Sequence, residues 1–144
     1  MTPTVRRPRD EQELAAALAL RIEVFCGEQG VTFDGDRDGL DDEALHLVAI
    51  GDADEVVGTC RMLIEPGGTA RFGRLCVRAS ARGTGVGALL LAEAEREARA
   101  AGARRIGMHA QTDALSLYRR AGFRPYGDRF DEEGIEHLGM EKDL

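Results

Sequence analysis

Two rhythms of apolar and polar residues alternate along the chain. Residues 11–25 follow a helical pattern, and Asp10 with Glu13 gives an Asp-x-x-Glu start signal resembling a capping box. Gly27 and Gly30 are expected to end that helix. Past an acidic stretch at 34–43, the runs 45–50, 56–64 and 70–77 read as strands separated by short turn-forming segments. Three strands joined this tightly predict an antiparallel meander. The rhythm then returns to helix over 87–101, with Val86, Leu90, Ala94, Ala98 and Ala101 on one face and Glu95 and Arg99 paired at i,i+4 on the wet side. Gly102 is placed as its C-terminal cap. A strand at 105–110, a helix at 113–121 capped by Gly122, and a hairpin of 123–130 with 135–140 complete the order β–α, β–β–β, α–β, α–β–β. That order predicts an α/β fold with a mixed, mainly antiparallel central sheet flanked by helices, in a single domain spanning 1–144.

Composition narrows the function. A net charge of -7 argues against nucleic acid or an anionic membrane as partner. Lys142 is the only lysine, which excludes a Walker-type phosphate lysine and disfavours Schiff-base chemistry. Cys26, Cys60 and Cys76 are widely spaced and odd in number, so they suggest neither a zinc site nor a disulfide framework. The apolar run 14–20 ends at Arg21 with acidic residues before it and no small-residue cleavage site, unlike a signal peptide. The expected location is the cytoplasm.

Chemistry concentrates where the strand 70–77 runs through a short loop into the second long helix. Arg82, Gly83, Thr84, Gly85, Val86 and Gly87 give the spacing Arg-x-x-Gly-x-Gly. Glycines let a backbone approach a ligand closely. The unpaired N–H groups of a helix's first turn then point at it, favouring negative charge by about 0.3–1 kcal/mol. Such a loop suits a pyrophosphate. Read from Gly83, the same residues match a dinucleotide fingerprint, Gly-x-Gly-x-x-Ala. The next strand, however, ends Met108-His109-Ala110-Gln111 without the acidic ribose ligand, and antiparallel strands precede the loop. The dinucleotide reading fails on context.

Arg-x-x-Gly-x-Gly after a mid-chain strand resembles the acetyl-CoA signature of the GNAT acetyltransferase superfamily. The segment 115–123, Leu-Ser-Leu-Tyr-Arg-Arg-Ala-Gly-Phe, is similar to the helix that follows in that family. Strings at 24–31, 38–41, 46–49, 109–111 and 131–140 resemble the ElaA-like branch in particular. The resemblance implies a GNAT fold and an N-acetyltransferase that moves an acetyl group from acetyl-CoA to a primary amine of a small molecule or peptide. It implies that the backbone of Arg82 to Gly87 holds the pyrophosphate, and that Leu75, Cys76 and Val77 pair with the pantetheine arm, one N–H polarising the thioester carbonyl. Arg74, Arg78 and Arg82 would form a basic rim for the anionic donor. Tyr118 is implied as general acid for the departing thiolate, since a phenol of ordinary pKa about 10 stays protonated at neutral pH. Glu28, His109 and His137 are the candidates for the base. The strand 70–77 lacks the glutamate that histone-type members use. The competing function is a regulatory domain that binds acyl-CoA without turnover.

One motif points elsewhere. Asp34, Asp36, Asp38 and Gly39 match the opening of an EF-hand loop, but Leu45 occupies the position where calcium needs a bidentate glutamate. No metal is expected. The stretch reads instead as a solvated loop. In the fold that the chain resembles this region borders the acceptor side, so its six carboxylates, Asp34 to Glu43, either concentrate cations there or merely keep the loop soluble.

Overall fold

A computed structural model describes residues 3–144. Seven strands form one sheet in the order β1-β2-β3-β4-β5-β7-β6. The strands are β1 (Thr4–Arg6), β2 (Leu45–Ile50), β3 (Val56–Ile64), β4 (Thr69–Val77), β5 (Arg105–Gln111), β6 (Arg124–Glu132) and β7 (Ile135–Asp143). All neighbours are antiparallel except β4 and β5. The mixed, mainly antiparallel α/β sheet expected from the sequence is the observed one.

Side chains alternate between the two faces of the sheet, and each face has its own core. Leu47, Met62, Ile106 and Met140 pack beneath α3 (Val86–Ala100) and α4 (Leu115–Arg120). Val48, Ile50 and Cys76 pack beneath α1 (Glu11–Arg21) with Ala17, Leu20 and Val24. α3 buries Val86, Leu90, Ala94 and Ala98 as its periodicity requires; Leu91 joins them, whereas Ala101 is the exposed C-cap. A Cβ on Gly58 would stand 2.8 Å from Val86 Cγ1, so this β3 glycine lets α3 lie close to the sheet.

Local signals act as expected at the ends. The Asp10 carboxylate accepts from Glu13 N–H at 2.9 Å and caps α1. Gly102 has φ 81°, and Ala103 N–H returns to Ala98 O, closing α3 with a left-handed cap.

Two expectations change. Gly27 does not end the first helix, which continues from Ile22 to Glu28 as a π-helical segment. The acidic stretch is not wholly loop: Thr32 caps a short helix, α2 (Phe33–Asp36), by accepting from Gly35 N–H at 3.0 Å.

Candidate active site

β4 and β5 pair only over Thr69–Arg105, Ala70–Ile106 and Arg71–Gly107. Beyond Arg71 β4 turns away to follow β3, while β5 follows β7, and the sheet splits. At this fork β4 carries a bulge. Thr59 pairs with Cys76 and Arg61 with Gly73, which leaves Arg74 and Leu75 without partners in the β3–β4 register. Arg74 adopts φ 54°, a conformation rare for a residue with a Cβ. The extra residue also exchanges faces: Phe72 lies in the core under α3 and α4, Cys76 in the core under α1. Cys76 therefore offers the fork its backbone and not a nucleophile, its thiol being pushed up to about 12 by burial.

At the wide end of the fork lies the glycine loop. Gly83 and Gly85 have φ 78° and 88°, and a Cβ built on either meets no atom within 4 Å. These two glycines are required by backbone conformation, and the space before them is open. Gly85 is the N-cap of α3; no side chain caps that first turn and no acidic residue occupies it. Arg82 donates from Nε to Val77 O at 3.0 Å, bracing the loop against the end of β4. Its guanidinium pairs with Glu28 at 2.7 Å.

Within the fork, a cavity of about 710 Å³ opens between β4, β5, the β6–β7 hairpin and the segment following α1. Leu75, Phe72, Met108, His109, Tyr118 and His137 are among its walls; Glu28 and the loop 82–87 are not. Tyr118 is buried, with its ring edge-on to Phe72 at 6.3 Å and to Phe123 at 6.1 Å. Burial raises its phenol well above the ordinary value, so the hydroxyl keeps its proton. Of the three candidate bases, His109 and His137 face the cavity together. Glu28 instead sits beside Arg82.

The acidic stretch is the chief correction. Asp36 is buried and pairs with buried Arg21 at 3.1 Å, while Asp41 accepts from Arg21 at 2.7 Å and from Arg61 at 3.0 Å. Asp38 binds Arg61, whose hydrogen bonds hold its carboxyl well below the usual range. Arg74 reaches Asp36 and Asp38 at 3.4 Å, so it belongs to this network and not to a basic rim beside the glycine loop. Three of the six carboxylates are thereby neutralised by three arginines that sequence distance hid. Two contacts tie the segment following α1 across the cavity. Gln111 donates to Gln29 at 2.8 Å, and the Glu133 carboxylate lies over the backbone of Gly35.

A family model for the acetyltransferase (GNAT) domain matches residues 11–144. This chain belongs to the GNAT acetyltransferase family. It is similar to the uncharacterized N-acetyltransferase YjcF of Bacillus subtilis, 35% identical over 136 residues, covering 94% of this chain and 96% of that protein. A solved protein of Lactobacillus plantarum superposes with TM-score 0.90 at 31% identity, covering 100% and 99% of the two chains. Escherichia coli ElaA shares the fold with TM-score 0.83 at 23% identity over 97% and 99%.

As a GNAT enzyme the protein is an acetyl-CoA-dependent N-acetyltransferase with an amine acceptor. The residues at the fork fit an acyl-CoA: a glycine loop at an uncapped helix N-terminus, then an unpaired stretch of strand, then a buried phenol. Among the described residues no helix is long and apolar enough to cross a membrane.

Proposed function

We propose that acetyl-CoA binds along the β4–β5 fork and passes its acetyl group to a primary amine of a small molecule or peptide held in the 710 Å³ cavity. The observation that carries this reading is the β4 bulge at Arg74 and Leu75, with Tyr118 lining the same cavity. The backbone N–H groups of residues 82–87 receive the pyrophosphate, aided by the dipole of α3. Leu75, Cys76 and Val77 receive the pantetheine arm as an added strand would be received, since β5 has left that edge of β4 free.

A backbone N–H of the bulge donates to the thioester carbonyl, where negative charge develops as the amine attacks. A fixed donor in that position contributes about 10²–10³ in rate. Collapse releases a thiolate, and Tyr118 supplies its proton. Burial keeps the phenol protonated but also weakens it as an acid, so its proton transfer to the thiolate is completed by the proton that the new amide nitrogen gives back to it. Arg82 exchanges Glu28 for the donor's phosphates. The three free cysteines accord with a reducing cytoplasm.

The test is a panel of primary amines, from small monoamines to peptide N-termini, assayed for CoA release and for the acetylated product by mass. Amine-dependent release with a matching mass gain is expected. Acetyl-CoA binding with no acceptor across the panel would favour a binding domain over an enzyme of this acceptor class.

A further inference from the structure

The cavity wall opposite Tyr118 holds a cluster that the steps above leave unused. Strand register assembles it. β6 and β7 pair Glu132 with Ile135 and Phe130 with His137, and β5 pairs Gln111 with His137 and His109 with Gly139. Because side chains alternate, Phe130, Glu132, His137 and His109 fall on one face.

His137 is the buried member, its side chain only 8% exposed, yet it lines the cavity. Its Nδ1 lies 2.7 Å from the carbonyl oxygen of Ile135, which can only accept, so Nδ1 carries the hydrogen and, in the neutral ring, Nε2 is left to present the lone pair. Nε2 has no hydrogen-bond partner among the described residues; Glu132 Oε2 stands 3.7 Å from it. The other carboxylate oxygen of Glu132 is 3.0 Å from His109 Nδ1. His109 is half exposed and reaches solvent. Phe130 stacks on the His137 ring at 5.8 Å and meets His109 edge-on at 5.0 Å, fixing both imidazoles. Among the described residues no arginine or lysine pairs with Glu132.

We propose that His137, Glu132 and His109 form the proton exit of the acceptor side. The proposal rests on reading this cavity as the place where the amine is held. An acceptor arrives as ammonium and gives one proton to His137 Nε2, which frees its nitrogen lone pair. That lone pair forms the C–N bond at the thioester carbon while the C–S bond breaks. The departing thiolate takes the Tyr118 proton, and the surplus proton on the new amide nitrogen returns to the Tyr118 oxygen. The proton on His137 leaves through Glu132 and His109, so one proton is released for each amide formed. His137 is the base. Glu132 acts through it, as a positioning residue that compensates the imidazolium and links it to the exit.

Two amines of similar shape separate this role from a structural one. Ethylamine is a cation at pH 7 and must be deprotonated, whereas 2,2,2-trifluoroethylamine is already neutral. Steady-state rates are measured for wild type, Glu132→Gln and His137→Gln, with acetyl-CoA stabilisation of each variant as a check on the fold and the donor site. Both substitutions are expected to lower kcat/KM for ethylamine, by about 10² for His137→Gln and about tenfold or more for Glu132→Gln. Both should leave trifluoroethylamine within about twofold. Glu132→Gln keeps the shape of an exposed side chain, so it remains informative if His137→Gln fails to fold. An equal loss for the two amines, or no loss, overturns the relay. No CoA release by wild type from either amine also overturns it, and leaves the donor site standing if acetyl-CoA still stabilises the fold. Loss of that stabilisation in wild type instead removes the donor site itself.

Discussion

Arg21 and Asp36 form a buried ion pair at 3.1 Å, their side chains 2% and 1% exposed, and it anchors the segment that roofs the cavity. Removing one partner of a buried pair leaves an uncompensated charge, at a cost of about 3–5 kcal/mol. Asp36→Asn is therefore expected to destabilise the protein strongly, whereas Asp42→Asn, at an exposed position, should change stability by under about 0.5 kcal/mol. Urea denaturation of the two variants checks this. Equal stabilities would mean that the acidic segment is solvated, as its sequence alone suggests.

The same network predicts acid sensitivity. Arg61 hydrogen bonds hold the Asp38 carboxyl below its ordinary value, and although burial pushes Asp41 up, Arg21 and Arg61 leave it lowered too. A carboxylate lowered on folding stabilises the native state above its unfolded pKa, about 3.9, and loses that contribution as pH falls through the folded value. Tm should hold from neutral pH to about pH 5 and fall steadily below about pH 4. In Asp38→Asn the fall should be shallower. An identical acid profile in that variant would contradict the assignment.

These arginines explain what the sequence concealed. The glycine loop, the caps at Gly102 and Gly122, and Tyr118 were legible because each is a local pattern within one or two elements. Asp36, Asp38 and Asp41 looked solvated because their partners lie 15 to 38 positions away and meet them only in the folded chain. Arg74 seemed part of a phosphate rim because a β-bulge leaves no mark in an alternating strand pattern. Glu132 was missed for a related reason. Its link to His109 depends on β7 inserting between β5 and β6, an order that sequence adjacency does not give. A hairpin register counted back from the Glu133–Gly134 turn would have placed it beside His137.

Glu28 gives a prediction of its own. Paired with Arg82 at 2.7 Å and outside the cavity lining, it is expected to compete with the donor's phosphates rather than to act as the base. Exposed pairs contribute about 0–1 kcal/mol, so Glu28→Gln should tighten CoA binding by no more than about fivefold and leave kcat near wild type. A loss of kcat of about 10² with unchanged CoA affinity would restore Glu28 as the base.

Tyr118→Phe removes one hydroxyl and keeps the ring packed between Phe72 and Phe123. Acetyl-CoA affinity should stay near wild type while kcat falls by about 10²–10⁴. Single-turnover and steady-state rates with any accepted amine distinguish a lost proton donor from slowed product release. A Phe variant with the wild-type kcat would reduce Tyr118 to a packing residue.

The central claim is that the glycine loop at the head of α3 binds the donor. Titration calorimetry of CoA into wild type and Gly85→Asp tests it most directly. At φ 88° an aspartate is strained by roughly 1–2 kcal/mol, and it sets a negative charge where the pyrophosphate is to lie. Wild type should bind CoA, and a variant shown to be folded by circular dichroism should lose binding by at least about 10². Equal affinity in the folded variant would contradict the assignment of this loop.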